Sequence, residues 1–243
     1  MKANTEYRTE PRPGAFNPSM LIVHDSVTKR WSKAKAMKMI RDGVTQKRKG
    51  GKKVRISGPL YPEAIDAKDG ELFLVTDGRT NNAGKGDPLV LDAIRNGQYP
   101  PPRPTDTPKN RVNGNAHAFA IAFIRLDPKK GPSEAALETL QSRIEHHGLP
   151  PIGHKDWTTR KSDPEGFDVI SWWLKLLRQV SVDAADSAID AWLRDFAAEM
   201  INIDGQPSSL KYVLEFYREI AKQTELSGAL PVEVARKMHL LRS

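Results

Sequence analysis

The apolar positions of the chain follow two periods, one typical of β-strands and one typical of α-helices. Residues 20–23 and 118–124 are apolar at every position, which predicts two strands, and the longer run predicts a strand covered on both faces of a sheet. Apolar residues also flank Asp69-Gly70, a preferred turn pair, so 65–75 is predicted to be a hairpin. These segments predict a sheet at the centre of the fold.

Helical spacing marks other segments. From Trp31 onward an apolar residue recurs every three positions, up to a predicted helix end at Gly43. Ser133 is a predicted N-cap, and Gly148 follows the predicted end of the same helix. Two further helices are predicted over 87–96 and 167–180, and two loops over 46–53 and 98–111.

The order of these elements predicts an α/β domain over 19–180, with a central mixed β-sheet flanked by helices. Residues 1–18 contain prolines and no periodicity, and we expect them to form an extended N-terminal arm. Residues 181–243 show helical stripes only, so they are predicted to form a small C-terminal all-helical module.

Positive charge is concentrated in 28–55. This segment holds twelve Lys and Arg residues and one acid, a balance of +11, whereas 181–243 holds seven basic and ten acidic residues, a balance of −3. The whole chain carries a net charge of +8, so the basic segment accounts for the excess. Such a segment is either a solvated surface, the usual outcome, or the contact surface for a polyanionic partner.

Composition also excludes several kinds of site. The chain contains no cysteine, which excludes disulfide scaffolds, thiolate zinc ligands and cysteine nucleophiles, so a metal site has to use His, Asp or Glu. No apolar run reaches the ~18 residues of a membrane span. The first residues lack the apolar core of an ordinary signal peptide. We therefore expect a chain made in a cytoplasm, without a membrane span.

Two histidines and one aspartate form the candidate metal site. His24 follows the first predicted strand, His154 lies in Gly153-His154-Lys155-Asp156-Trp157, and Asp163 follows nine residues later. Two imidazoles and a carboxylate, with a fourth position left for water, form a zinc site of the open, catalytic kind. Spacing alone is weak evidence, because a lone histidine on a strand is more often structural or exposed and Asp-Pro is more often a plain turn or helix start.

The chain contains four further motif blocks in order: 21–26; 58–61 with 69–70 and 78–86; 113–115 leading into 118–124; and 153–157 with 160–164 and 167–168. Together they resemble the zinc-dependent N-acetylmuramoyl-L-alanine amidases of the peptidoglycan-recognition-protein superfamily, in particular phage endolysins. The resemblance covers about residues 19–178. It implies an α/β fold, Zn2+ held by His24, His154 and Asp163, and peptidoglycan as the substrate.

The same resemblance implies roles for five further residues. Lys161 would be the cation near the reacting carbonyl, and Tyr61 falls near the active-site tyrosine of the family. Substrate contacts are expected from Asn82, Asn115 and Trp157, although Trp157 fits a core position at least as well.

One departure from the family pattern concerns the general base. Ala120 and Ala122 stand where relatives often have Gly-x-Glu. Two alternatives are therefore open: Tyr61, Glu63 or Asp156 substitutes for this Glu, or Zn2+-bound hydroxide needs no separate base.

The expected function is hydrolysis of the amide bond between N-acetylmuramic acid and L-alanine. The enzyme would stay in the host cytoplasm until lysis and act at the bacterial cell wall, with 28–55 attracted to anionic wall polymers. Alternatives are a virion-borne wall hydrolase, a non-catalytic peptidoglycan-binding protein, favoured by Ala122, and, more remotely, a nucleic-acid-binding protein acting through 28–55. We expect 181–243 to bind the wall or to dock on another protein.

Overall fold

The fold is described here from a computed structural model, which describes residues 3–26, 28, 30–47, 51 and 53–179. Its strands are β1 (Met20–Asp25), β2 (Gly43–Lys47), β3 (Lys53–Ser57), β4 (Glu63–Asp66), β5 (Leu72–Leu74), β6 (Lys85–Gly86), β7 (Val112–Asn113), β8 (Ala118–Ile124) and β9 (Pro151–Gly153). Its helices are α1 (Lys33–Asp42), α2 (Pro88–Arg95), α3 (Glu134–His147), α4 (His154–Trp157) and α5 (169–179), with a 3-10 turn at Gly114–Ala116.

A mixed five-stranded sheet forms the centre of the fold, in the order β5-β4-β8-β1-β9. Strands β4, β8, β1 and β9 run parallel to one another, and β5 is antiparallel to β4. All seven residues of β8 are buried, as expected for a parallel strand covered on both faces. The predicted α/β fold with a central mixed sheet is therefore confirmed.

Helices cover both faces of the sheet. Register and alternation place Met20, Ile22 and His24 on one face, where Met20 and Ile22 pack with the buried side of α2. Helix α1 packs against the same face of the sheet through Ala64 of β4. Glu63, the neighbour of Ala64, points to the other face and contacts α3 through Arg143.

Local sequence signals determine the element ends. Ser133 accepts a hydrogen bond from the Ala136 N–H at 3.2 Å, and Gly148 ends α3 in the left-handed region at φ 62°. Asp87 caps α2 by accepting from Leu89 N–H at 2.9 Å. The hairpin predicted around Asp69-Gly70 is formed by β4 and β5. These predictions are confirmed.

The loop predicted over 46–53 is wrong at both of its ends, where the structure has strands. Gln46 and Lys47 belong to β2 and Lys53 to β3, two strands that pair with each other in a separate antiparallel hairpin. The physical reason is that β-branched residues on both strands favour extended backbone, with Val44 aligned to Ile56.

The N-terminal arm runs beside the edge strand β5. Asn4 N–H donates to the Leu72 carbonyl at 2.8 Å, and Leu74 N–H donates back to Asn4 at 2.9 Å. Thr9 N–H donates to the Val75 carbonyl at 2.8 Å. The arm thus satisfies backbone groups that an exposed sheet edge would present to other chains.

The chain divides into two compact units, Met1–Trp172 and Trp173–Ser243. The predicted helical module at 181–243 lies outside the described residues, so that domain boundary stays a prediction. Within the described part of the chain, every helix is too short or too polar to cross a membrane.

A buried ion pair links the sheet to α3. The two carboxylate oxygens of Glu63 accept from Arg143 at 2.9 and 2.6 Å, and His147 Nε2 lies 3.0 Å from Oε1. Burial raises the pKa of the Glu63 carboxyl, but hydrogen bonds from His147 and Arg143 lower it by more, so the pKa lies below its usual range.

This shift predicts how stability depends on pH. A carboxyl whose pKa is depressed in the folded state stabilises the fold above its unfolded pKa, and this contribution is lost as the pH falls through the folded value. Glu63→Gln should therefore unfold at a lower temperature than the wild type near neutral pH, and the gap should narrow as the pH falls below the usual glutamate pKa of about 4.3. Thermal unfolding across this range tests the prediction, and a constant gap would contradict it.

Candidate metal centre

Two neighbouring parallel strands bring His24 and His154 together. The register of β1 and β9 aligns Val23 with Gly153, so the next residue of each strand lies at the same end of the sheet. Both histidines are buried, and their ring centroids are 4.3 Å apart. Residues 130 positions apart thus become neighbours because two short strands pair in this register.

Asp163 joins this pair from the segment that follows α4. Its backbone carbonyl accepts a hydrogen bond from Lys155 N–H at 2.9 Å. Its Oδ2 atom lies 3.1 Å from Nδ1 of His24 and 3.1 Å from Nδ1 of His154. The side chain of Asp163 is 21% exposed, so the cluster opens to solvent on this side. The structure therefore brings together all three predicted ligands.

The donor atoms fit a metal ion. Ligands of tetrahedral zinc at about 2.0–2.2 Å from the ion lie about 3.3–3.6 Å from one another. The 3.1 Å separations are close to this spacing, and candidate ligand atoms from all three residues lie within 4.8 Å of one another.

The hydrogen bond behind His154 strengthens this fit. His154 Nε2 lies 3.3 Å from the carbonyl oxygen of Ala83, which only accepts, so Nε2 carries a proton. In the neutral ring, the Nδ1 lone pair then faces a carboxylate oxygen. Two acceptors at that distance repel each other unless a proton or a metal cation lies between them. A carbonyl that fixes the tautomer of a histidine ligand is also typical of metal sites.

Electrostatics favour the ligand forms of these groups. Burial, and after it the neighbouring His154, lowers the pKa of His24 to about 4, so its ring is neutral near pH 7. Burial raises the pKa of Asp163, but hydrogen bonds with His154 and His24 lower it by more, and the carboxyl is ionised. A neutral imidazole and a carboxylate are the forms that bind a divalent cation.

Tyr61 and Lys161 both lie near the cluster. The ring centroid of Tyr61 is 4.9 Å from that of His24. Burial and the charges of Asp163 and Asp25 raise the pKa of Tyr61, so its hydroxyl keeps its proton. Lys161 is exposed and precedes the ligand Asp163 by two residues in the chain.

Asn82 and Asn115 come from two segments that meet beside His154: Asn82 directly precedes Ala83, and Asn115 lies in the 3-10 turn Gly114–Ala116. Asn82 is 8% exposed, and its amide donates to Thr80 Oγ1 at 2.6 Å, while its Oδ1 atom is buried without a hydrogen-bond partner. Asn115 Oδ1 accepts from the Gly84 N–H at 3.0 Å. The two side chains therefore border Ala83, whose carbonyl contacts His154, and their contact with substrate stays a prediction.

Trp157 needs a correction. It is fully buried in the core beside Ile22 and Ile152, so it does not line a groove, and the prediction that it binds substrate is wrong. The reason is the close approach of two glycines. A Cβ at Gly86 would lie 2.1 Å from the indole, and one at Gly114 would lie 2.7 Å from it.

The three residues considered as general base, Tyr61, Glu63 and Asp156, lie in different surroundings. Ala122 is aligned with His24, so a methyl group and not a carboxylate stands beside the cluster at this position. Glu63 is occupied by Arg143 on the opposite face of the sheet, and Asp156 accepts from Gly153 N–H at 2.9 Å. Of the three substitutes, Tyr61 is the one that contacts the cluster in the described part of the chain.

Two contacts of this site were not predicted from the sequence. They are the Ala83 carbonyl behind His154 and the carboxylate of Asp106, which binds the backbone of Thr159. No sequence motif marks either of them, because a backbone carbonyl has no residue signature and Asp106 lies in an irregular proline-rich loop.

Two solved structures are similar to this chain at low sequence identity. No family model matches the chain, and no curated protein matches its sequence. Among solved structures, the N-acetylmuramoyl-L-alanine amidase LysC from Clostridium intestinale URNW is similar over 72% of this chain and 99% of that one, with 18% identity and a TM-score of 0.37. The endolysine N-acetylmuramoyl-L-alanine amidase LysCS from the same organism is similar over 68% of this chain and 90% of that one, with 18% identity and a TM-score of 0.34. These similarities are too low to assign a function.

The contact between Gly86 and Trp157 generates a prediction about stability. Gly86→Ala should destabilise the fold by about 1–3 kcal/mol, because the new methyl group has to displace a fully buried indole. Chemical denaturation measures the change. Lys85→Ala, at the exposed neighbouring position, is the control and should change the unfolding free energy by less than about 0.5 kcal/mol. Equal stability of the two variants would contradict the packing described here.

Proposed function

We propose that this protein is a metal-dependent peptidoglycan hydrolase that cleaves the amide bond between N-acetylmuramic acid and L-alanine. The cluster of His24, His154 and Asp163 carries the proposal, because two imidazole nitrogens and a carboxylate oxygen converge in a partly open site. The ordered motifs that resemble amidases support the choice of substrate, since such a donor set by itself serves many reactions.

His24, His154 and Asp163 would hold Zn2+, the ion that suits two imidazoles and one carboxylate with an open fourth position. When bound, Zn2+ supplies Lewis-acid chemistry: it polarises an amide carbonyl and makes water acidic enough to ionise near neutral pH. The protein keeps His24 neutral by burial and fixes the tautomer of His154 through the Ala83 carbonyl. Both features keep the donor atoms ready to bind.

Lys161 and Tyr61 would act on the substrate. Cleavage of an amide places negative charge on the carbonyl oxygen, and Lys161 would supply a cation from the segment that carries Asp163. The hydroxyl of Tyr61 stays protonated and is therefore able to donate a hydrogen bond to the same region. Because its phenol is protonated, Tyr61 would act as a hydrogen-bond donor to the substrate and not as the general base.

The basic segment 28–55 supports action at an anionic surface. Part of its charge is compensated internally, since Lys33 lies 2.5 Å from Glu71 and Arg41 lies 2.7 Å from Asp42. Lys38 and Lys53 are exposed. We propose that this segment attracts the protein to anionic polymers of the bacterial cell wall, during host lysis or when carried on a virion.

Removal of one ligand tests the metal and the activity together. His154→Ala should lose bound Zn2+ and lose the release of L-alanine amino groups from purified sacculi. His146→Ala, at an exposed position on α3, should keep both. Elemental analysis and amino-group assay give the two readouts. Zn2+ binding to the wild type without any release would favour the non-catalytic peptidoglycan-binding protein instead.

The proposed cation is tested separately from the metal. Lys161→Ala should keep Zn2+ and lose about 10²–10³ in turnover, the usual cost of removing one group that stabilises a developing oxyanion. Lys130→Ala, at an exposed position after β8, is the control and should turn over like the wild type. Unchanged turnover of Lys161→Ala would remove this residue from the mechanism.

A further inference from the structure

A buried aspartate on the proline-rich loop holds the segment that carries Asp163. Asp106 lies between α2 and β7, and its side chain is fully buried. Oδ1 accepts from the backbone N–H of Thr159 at 2.7 Å, and Oδ2 accepts from the Thr158 hydroxyl at 3.1 Å. Arg111 completes the group through an ion pair with Oδ2.

The carboxylate of Asp106 is ionised. Burial raises its pKa, but hydrogen bonds from the Thr159 backbone, Arg111 and the Thr158 hydroxyl lower it by more. A buried charge with donors on both oxygens allows little displacement, because any shift would leave a desolvated acceptor or the guanidinium of Arg111 without its partner. The group therefore acts as a rigid attachment point.

The segment 158–163 is attached at both ends. Asp106 holds its first two residues, and Lys155 N–H holds the carbonyl of Asp163 at the other end. Inside the segment, Lys161 N–H donates to the Thr158 carbonyl at 3.3 Å. The third ligand and the proposed cation therefore belong to one short loop, and Asp106 binds the first two residues of that loop.

A second aspartate, Asp87, connects the proline-rich loop and the end of α4 to the N-terminus of α2. The N–H of Asp87, the N-cap of α2, donates to the Trp157 carbonyl at 3.0 Å. Its Oδ2 atom accepts from the N–H of Thr105, next to Asp106, at 2.6 Å. Because Trp157 directly precedes Thr158, the proline-rich loop and the end of α4 are bound to the same helix end.

We propose that Asp106 is a positioning residue for the metal centre: it holds 158–163 so that Asp163 completes the ligand set beside His24 and His154. The inference rests on the proposed function, which supplies the metal. Asp106 acts through Thr158 and Thr159, and its removal should weaken the hold on Asp163 while both histidines keep their places.

Metal affinity tests this role directly. In the full chain, Asp106→Asn keeps the shape of the side chain but removes its charge and one acceptor. Residues behind the ligands typically contribute about 10–100-fold to metal affinity, so Zn2+ should bind at least about tenfold more weakly. Competition with a chromogenic chelator measures this, and the visible spectrum of the Co2+-loaded protein should change because Asp163 is displaced.

Two further variants separate positioning from general stability. Glu63→Gln removes an equally buried, arginine-paired carboxylate on the other side of the sheet, and it should lower thermal stability while keeping Zn2+ affinity within about twofold of the wild type. Thr158→Val removes one hydrogen bond to Asp106; it should give a smaller loss of affinity, about three- to tenfold, and it decides the question if Asp106→Asn does not fold.

These measurements distinguish a failure of the positioning role from a failure of the proposed function. If Asp106→Asn binds Zn2+ as tightly as the wild type, the positioning role is overturned and the proposed function is not. The same holds if Asp106→Asn does not fold and Thr158→Val binds Zn2+ with wild-type affinity. A loss of Zn2+ affinity in Glu63→Gln as large as that in Asp106→Asn would also overturn the positioning role. A wild-type chain that binds no Zn2+, or that binds it equally well after His154→Ala, would overturn the proposed function and this inference with it.

Discussion

The alignment of β1 with β9 is the constraint on which the candidate site depends. Each histidine directly follows a residue of that pairing, so the register alone decides that the two rings meet. A slip by one residue would turn His24 to the other face of the sheet, because side chains alternate along a strand. The apolar core beneath β1, with Met20 and Ile22 packed against α2, fixes this register through the burial that it requires.

The buried and partly buried carboxylates of this fold have two different roles: some join distant elements, and one is a candidate metal ligand. Glu63 and Asp106 each face an arginine and accept further hydrogen bonds, so their charges are compensated and they join elements that are distant in sequence. Asp163 instead faces two imidazoles, one of which is neutral near pH 7, and it is partly open to solvent. A carboxylate in these surroundings gains most from a divalent cation, and this distinguishes a candidate metal ligand from a structural aspartate.

The sequence indicated the site because its ligands lie next to strong local signals. His24 directly follows an uninterrupted apolar run, and His154 and Asp163 share a short motif. Spacing alone did not decide between ligands and structural residues, and the resemblance of the ordered motifs to amidases selected these three. Trp157 shows the limit of such reasoning. Its place in the motif suggested a groove, whereas two glycines from distant segments open the space that buries it. The strand β9 was missed for a related reason, since three residues carry no measurable period.

By itself, the sequence determined the α/β class, the central buried strand, the capped helices and the identity of the three candidate ligands. Periodicity, turn pairs and cap residues act over a few neighbouring positions, so they can be recognised without knowledge of the fold. Tertiary structure alone decided that the donor atoms converge, that Ala83 fixes the tautomer of His154 and that Asp106 holds the segment carrying Asp163. These contacts join residues far apart in the chain, and only the pairing of the strands and the packing of the loops against them bring such groups within hydrogen-bond distance.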